Sequence, residues 1–306
     1  MIYLLIAILC GALFSAIFKI CQRQGISTLW VILFNYITGA VVSWGSLFIG
    51  AATTGAAVVN PFIHSWVWLG LLQGALFLGG FAMMSGCTMF CGVALTNVAA
   101  RSSLILPVIF SWLLLSQPAP AWLPVILVIV SLMLIALANG TEKKDRENGK
   151  KVLFVRRPWF VMLMVFLFYG ISDFSLKLVQ NSVSTQCQTD GTPIENSLSA
   201  LTGTIFLMAA LLCIVIVVIR PKGKRPTYSM RGILAGIVLG LANLSCTACM
   251  LRSLNVLPTG TFYPLYNIGV VLVGMFAGVV LFKERLHPLQ YVGLFVALVA
   301  ILLFFR

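Results

Sequence analysis

Long apolar runs separated by short polar joints make up almost the whole chain. Ten such runs recur, at about 2–20, 28–50, 66–90, 98–116, 121–139, 159–180, 197–219, 230–251, 258–281 and 288–305. Each is close to the ~20 residues that a helix needs to cross a ~30 Å hydrocarbon core. Backbone amides in lipid must be bonded inside their own segment, so the pattern predicts membrane-spanning helices. The apolar residues run on instead of alternating, which excludes a transmembrane β-barrel. Gly, Pro and polar clusters punctuate most joints. The connections are short except for 139–158, 50–65, 181–196 and 220–231, and none has room for a soluble domain. The first run lacks a basic leader and a small-residue cleavage site, so it is read as a retained span. The expected fold is an all-α integral membrane protein.

The segment NGTEKKDRENGKKVLFVRRP, Asn139–Pro158, is the one long stretch dense in charge, and it divides the chain into two similar halves. Lys19 after FSAIF corresponds to Lys177 after SDFSL, and Thr38-Gly39 to Thr202-Gly203. Gly70-x-x-x-Gly74 corresponds to Gly232-x-x-x-Gly236, Asn97-Val98 to Asn255-Val256, and Pro107 to Pro264. These matches fall in order at nearly constant offset, which is the signature of a repeat. An odd number of spans per copy sends the second copy into the bilayer from the opposite side. The expected plan is therefore ten transmembrane helices as two inverted five-helix repeats, 1–139 and 159–306, joined by a basic linker at 140–158. Secondary transporters use this plan, with the solute site near mid-membrane.

Composition agrees. The chain is 60% hydrophobic and 9% charged, with mean hydropathy +1.06, whereas soluble domains carry about 25% charged residues. The net charge of +13 is concentrated in short loops, which fits a membrane protein and not a nucleic-acid binder. Seventeen of the 20 Lys and Arg fall on one set of loops. That set is expected to be cytoplasmic, with both termini extracytoplasmic and the protein in a plasma (inner) membrane. Most cysteines lie in or beside apolar runs as small hydrophobes, and Cys246-x-x-Cys249 has no second ligand pair. No metal or cofactor is expected. Catalytic spacing is missing too: His64 and His287 sit in separate loops, and no nucleophile elbow or phosphate loop occurs, so the chain is not read as an enzyme.

Asp173 is the one acid well inside an apolar run. About 14 residues into its helix, it lies roughly 21 Å along at 1.5 Å per residue. A carboxylate at that depth is costly unless it faces the interior or a wet cavity. Lys177 follows at i+4 and can pair with it structurally, or Asp173 can serve as a substrate contact or proton-sensitive gate. Pro107 and Pro264 each remove a helical N–H, and broken helices in matching places of two halves point to a transport site. Tyr263, Tyr266 and Asn267 cluster at Pro264, and Arg101, Ser102 and Ser103 precede Pro107. Asn35, Tyr36, Gln73 and Asn243 are further in-span polar groups that either line a site or bond helix to helix. The Gly-x-x-x-Gly pairs read as close helix contacts. Trp66, Trp122 and Trp159 read as interface anchors.

The segment Tyr263–Phe305, YPLYNIGVVLVGMFAGVVLFKERLHPLQYVGLFVALVAILLFF, resembles the closing helix pair of EamA-like proteins in the drug/metabolite transporter superfamily. The resemblance rests on Pro264, then Glu284-Arg285-Leu286, Pro288, Gln290 and Gly293. The first half keeps Pro107 but has Gln117-Pro118 where the glutamate would stand. The resemblance implies a carrier of small metabolites working by alternating access, with a central cavity between the halves. The expected partners are a small-molecule solute, a coupling proton or ion, and the bilayer. A lipid-linked-group flippase and a non-transporting membrane scaffold or receptor are the alternatives.

Overall fold

A computed structural model describes residues 1–54, 59–91, 99–146, 158–191, 193–219, 229–282 and 288–304. Among these, ten α-helices and one 3-10 turn occur and no strand: α1 Ile2–Arg23, α2 Thr28–Thr54, α3 Val67–Cys91, α4 Ile105–Leu114, α5 Trp122–Arg146, α6 Pro158–Asp190, α7 Ile194–Ile219, α8 Met230–Val256, α9 Thr259–Phe282 and α10 Pro288–Phe304. The 3-10 turn is Pro61–Ile63. Among the described residues, five stretches are long and apolar enough to cross a membrane: Thr28–Ile49, Phe160–Asp190, Ile194–Ile219, Met230–Val256 and Thr259–Ala277. Five shorter apolar helices accompany them. The chain is an all-helical, membrane-embedded protein.

The largest departure from expectation is α6. It was expected to end near 180, with 181–196 as a connection, but it continues for 33 residues to Asp190. Gly191 stops it at φ +66°, the left-handed conformation that glycine adopts without steric cost at a helix end. Hydropathy misses this tail because NSVSTQCQTD is polar, and a polar helix looks like a loop on that scale. Helix α5 likewise runs on to Arg146, into the expected linker. The rest of the linker, the basic patch before Ser229, Asn97-Val98 and the Glu284-Arg285-Leu286 motif lie outside the described residues, as does the side chain of Lys19.

Two compact units emerge. Unit one is Met1–Leu78 with Ser175–Val256, and unit two is Gly79–Phe174 with Leu257–Arg306. Each draws on both sequence halves, so the compact units and the expected repeats divide the chain differently.

In unit one, α8 packs along α1 and α2, and α2 also packs along α7. Small residues let the backbones approach closely, which is how helices associate where lipid removes the hydrophobic drive. A Cβ on Gly236 would meet Phe34 Cβ at 2.6 Å and the Val31 carbonyl at 2.8 Å, both on α2. One turn on, a Cβ on Gly240 would lie 2.7 Å from both the Asn35 carbonyl and Thr38 Cβ. On the other side, Gly70 of α3 faces Leu201 and Thr204 of α7, and Gly74 abuts Ile205 and Met208. Gly39 of α2 receives the Phe206 ring, while Gly203 of α7 receives Trp44 and Ser43. Ser43 Oγ also donates to the Ser199 carbonyl at 2.9 Å, tying α2 to α7.

Gly240→Ala should therefore lower thermal stability in detergent by about 1–3 kcal/mol, the usual cost of overpacking. Gly274→Ala is the control, because nothing lies within 4 Å of its added methyl. It should be neutral or stabilising by up to about 1 kcal/mol, the helix-propensity difference between the two residues.

In unit two, α5 packs along α10, and α9 contacts α4, α5 and α10. The backbone turns at Ser103–Leu104, between helical residues 99–102 and α4. Pro107 then falls in the first turn of α4, where a missing N–H costs little. Pro264 behaves differently from expectation: α9 runs through it without a break. It lies in the second turn, so the one bond it removes is to the carbonyl of Gly260, close to the helix start. The start of α9 is held from outside. Gln117 Oε1 accepts from the Thr259 N–H at 2.9 Å, satisfying one of the donors that every helix N-terminus leaves open. Ser116, at φ +50°, turns the chain at the end of α4 just before Gln117. The residue that departs from the EamA-like pattern thus has a capping role here.

Candidate functional site

The expected site residues fall into two groups, one per unit. In unit two, Tyr263 is fully buried on α9 and its hydroxyl donates to the backbone carbonyl of Asp173 on α6. Asn267, one turn along α9, is 4% exposed. Its Nδ2 donates to the Tyr263 carbonyl at 3.0 Å, and its Oδ1 accepts from Arg101 Nη1 at 3.0 Å. Arg101 also acts electrostatically on Asp173 and Tyr169. The Tyr169 hydroxyl donates to the Gly80 carbonyl at 3.2 Å. Tyr266 stacks on Phe262, with ring centroids 5.7 Å apart and planes 8° apart.

Asp173 itself is half-buried, and among the described residues no hydrogen bond reaches its carboxylate. Its acid group lies in electrostatic reach of the Arg101 guanidinium and of the Tyr169 and Tyr263 phenols. A buried charge normally collects hydrogen bonds, so a carboxylate left without them is available to a ligand or a proton.

Arg101 is the member that sequence reasoning undervalued. Counted among loop cations, it is bonded to Asn267 on another helix. Its signal was the company it keeps: Arg101-Ser102-Ser103 sits four to six residues ahead of Pro107, at the mouth of an apolar run. Ser103 Oγ donates to the Ala100 carbonyl at 2.7 Å, which helps fix the turn that presents Arg101.

In unit one, two of the expected residues bond helix to helix. Asn243 Nδ2 of α8 donates to Asn35 Oδ1 of α2 at 3.1 Å, both side chains being buried. Such a bond is worth about 0.6–2 kcal/mol in a membrane. Tyr36 is fully buried and meets Phe206 edge-on at 5.9 Å. Gln73 is fully buried in α3.

Lys177 is 4% exposed, and its ammonium is not spent on Asp173. It donates to Gln180 Oε1 at 2.7 Å and to the Leu254 carbonyl at 2.8 Å. Gln180 Nε2 donates onward to Ser184 Oγ at 2.8 Å and Asn255 Oδ1 at 3.1 Å. Leu254 lies in the last turn of α8, where carbonyls lack helical partners and the helix dipole favours a cation. Lys177 therefore caps α8 and clamps α6 to it, a structural duty in place of the expected acid–base pair. Trp66 also differs from expectation: it is 1% exposed and stacked on His64 at 5.6 Å, so it anchors a loop and not a lipid interface.

Among the described residues no cluster of His, Cys, Asp and Glu can hold a metal ion. No protein-family profile matches the chain. An uncharacterized protein of Haemophilus influenzae is 28% identical over 307 residues, covering 97% of this chain and 95% of that one. A protein of known crystal structure shares the fold, with a TM-score of 0.68 at 12% identity over 98% of this chain and 95% of that one. At that identity the likeness concerns the fold alone.

Proposed function

We propose that the chain is a secondary transporter of a small polar or amphipathic solute, working by alternating access in a plasma (inner) membrane. In this reading the ten helices form two inverted five-helix repeats of the EamA-like, drug/metabolite transporter kind. Both termini face outward. The observation that carries the proposal is Asp173, an acid inside the apolar part of the 33-residue helix α6, with Arg101 in electrostatic reach and, among the described residues, no hydrogen bond on its carboxylate. Intramembrane ionisable groups are costly and cluster on solute and ion pathways. A carboxylate with a guanidinium in electrostatic reach, with Asn267 bonded to Arg101 and Tyr263 to the Asp173 backbone, can hold a solute or exchange a proton.

Packing in unit one favours the repeat. Gly70 and Gly74 of α3 seat on α7 as Gly232 and Gly236 of α8 seat on α2, and Gly39 and Gly203 exchange partners across α2 and α7. A two-fold relation between the halves requires such reciprocity. The scaffold alternative would pair off every in-span polar group, which the Asn35–Asn243 bond satisfies and Asp173 does not.

A thermal-shift screen of the purified full chain against metabolites, followed by counterflow of each hit in proteoliposomes, tests the reading. Stabilising solutes should also exchange across the vesicle membrane. Binding without exchange would reduce the chain to a receptor or scaffold. Labelling of Arg157 and Arg306 on one common side of the bilayer would remove the odd span count and the inverted repeat with it.

A further inference from the structure

Unit one carries a cleft of about 590 Å³, within the ~300–1,000 Å³ usual for small-molecule sites. One wall is the α6 tail. Leu178, Asn181, Ser182, Thr185, Gln186 and Thr189 line it, with Asp190 at the end, a spacing of three and four residues that keeps them on one helix face. The opposite wall is Ser65 and Leu69 at the start of α3. A 33-residue helix is about 50 Å long, against a ~30 Å hydrocarbon core. The polar face begins where the apolar part of α6 ends, so the cleft opens beyond the lipid.

The chemistry of this cleft is specific. It offers four hydroxyls, two amides and a single carboxylate. The Thr185 and Thr189 hydroxyls donate to the Asn181 and Gln186 carbonyls, so toward a ligand their oxygens act as acceptors. None of its lining residues is cationic, so an anion finds no counter-charge. Asp190 is exposed, and an exposed ion pair contributes little, so a cation gains less here than a ligand that engages the hydroxyls and amides together. The far end of the wall is already ordered. Gln186 Nε2 lies 2.7 Å from His64 Nδ1 and donates to Asp190 Oδ2 at 3.2 Å, while Thr189 Oγ1 donates to the Gln186 carbonyl at 2.8 Å. Gln186 Oε1 is buried, and among the described residues no donor reaches it. Among the described residues, Asn181, Ser182 and Ser65 spend no side-chain hydrogen bond, leaving donors and acceptors along the wall open to a ligand.

We propose that this cleft is a binding site for a small neutral polyhydroxylated solute, a sugar or polyol, held by the Asn181–Asp190 face of α6 against Ser65. None of its residues belongs to the Asp173 group, and the proposal stands whether or not the chain transports.

The test is equilibrium binding to the purified full chain in nanodiscs, with myo-inositol, D-glucose and sorbitol as probes and choline and inorganic phosphate as charged controls. At least one polyol should bind saturably, with a Kd on the order of 1 mM. Thr185→Val, which keeps shape, and Asn181→Leu should each weaken it at least about tenfold, and neither control should compete. Failure of all three polyols to saturate would overturn the proposal, as would binding that both variants leave unchanged. Choline binding that the same variants abolish would replace it with a cation site. Because binding is read without vesicle flux, a failed counterflow experiment leaves this result intact, and the reverse also holds.

Discussion

Asp173→Asn is expected to cost at least about a hundredfold in initial uptake rate while leaving folded protein in the membrane. The substitution keeps the size of the side chain and removes its charge. Charge-assisted hydrogen bonds contribute about 1.5–3 kcal/mol each, and every ~1.4 kcal/mol is tenfold, so two such bonds to a solute suffice for that loss. Stability should move the other way. Among the described residues the native carboxylate accepts no hydrogen bond, and a buried charge without them is costly. The variant should therefore melt at the same temperature or slightly higher. Uptake in proteoliposomes and a melting curve on the same preparation separate the outcomes. A structural role would show the opposite pattern, with a lowered melting temperature and uptake preserved per folded molecule. Unchanged uptake would remove Asp173 from the mechanism.

Arg101→Gln should reduce uptake about ten- to a hundredfold, the range expected when one charge-assisted contact of about 1.5–3 kcal/mol is lost. Gln can still donate to Asn267 Oδ1, so the link between the α4 entry and α9 survives while the positive charge beside Asp173 does not. Arg101→Lys should recover part of the rate, because it restores charge without the planar fork. Equal rates for Arg, Lys and Gln at this position would mean that Arg101 only braces the turn at Ser103–Leu104.

How much of this was legible beforehand depends on the kind of signal. Helix positions follow from hydropathy, because lipid enforces one secondary structure on any apolar run. Their ends follow where a turn residue marks them, as at Thr28 and Pro288. The α6 tail was missed although its pattern was present. Asn181, Thr185 and Thr189 recur on a helical period, but a reading tuned to apolar runs treats polar residues as loop. Pro264 misled for a local reason: near a helix start, a lost N–H is cheap and the helix continues. Long-range pairings were not legible at all. Nothing in the order of residues says that Arg101 meets Asn267, or that Asn35 meets Asn243. Lys177 shows the same gap. Spacing alone offered it Asp173 four residues away, whereas three-dimensional packing brings a helix end that suits an ammonium better.

Helix α6 also bears on the choice of bilayer. A rod some 20 Å longer than the acyl region cannot be hidden by thickening the lipid. Mismatch therefore acts on the shorter helices around it, which must tilt or draw lipid toward themselves as chain length changes. Short-chain lipids leave α6 almost indifferent and suit those neighbours. Long-chain lipids strain the neighbours first, which makes acyl length a handle on this protein that touches no residue of its sites.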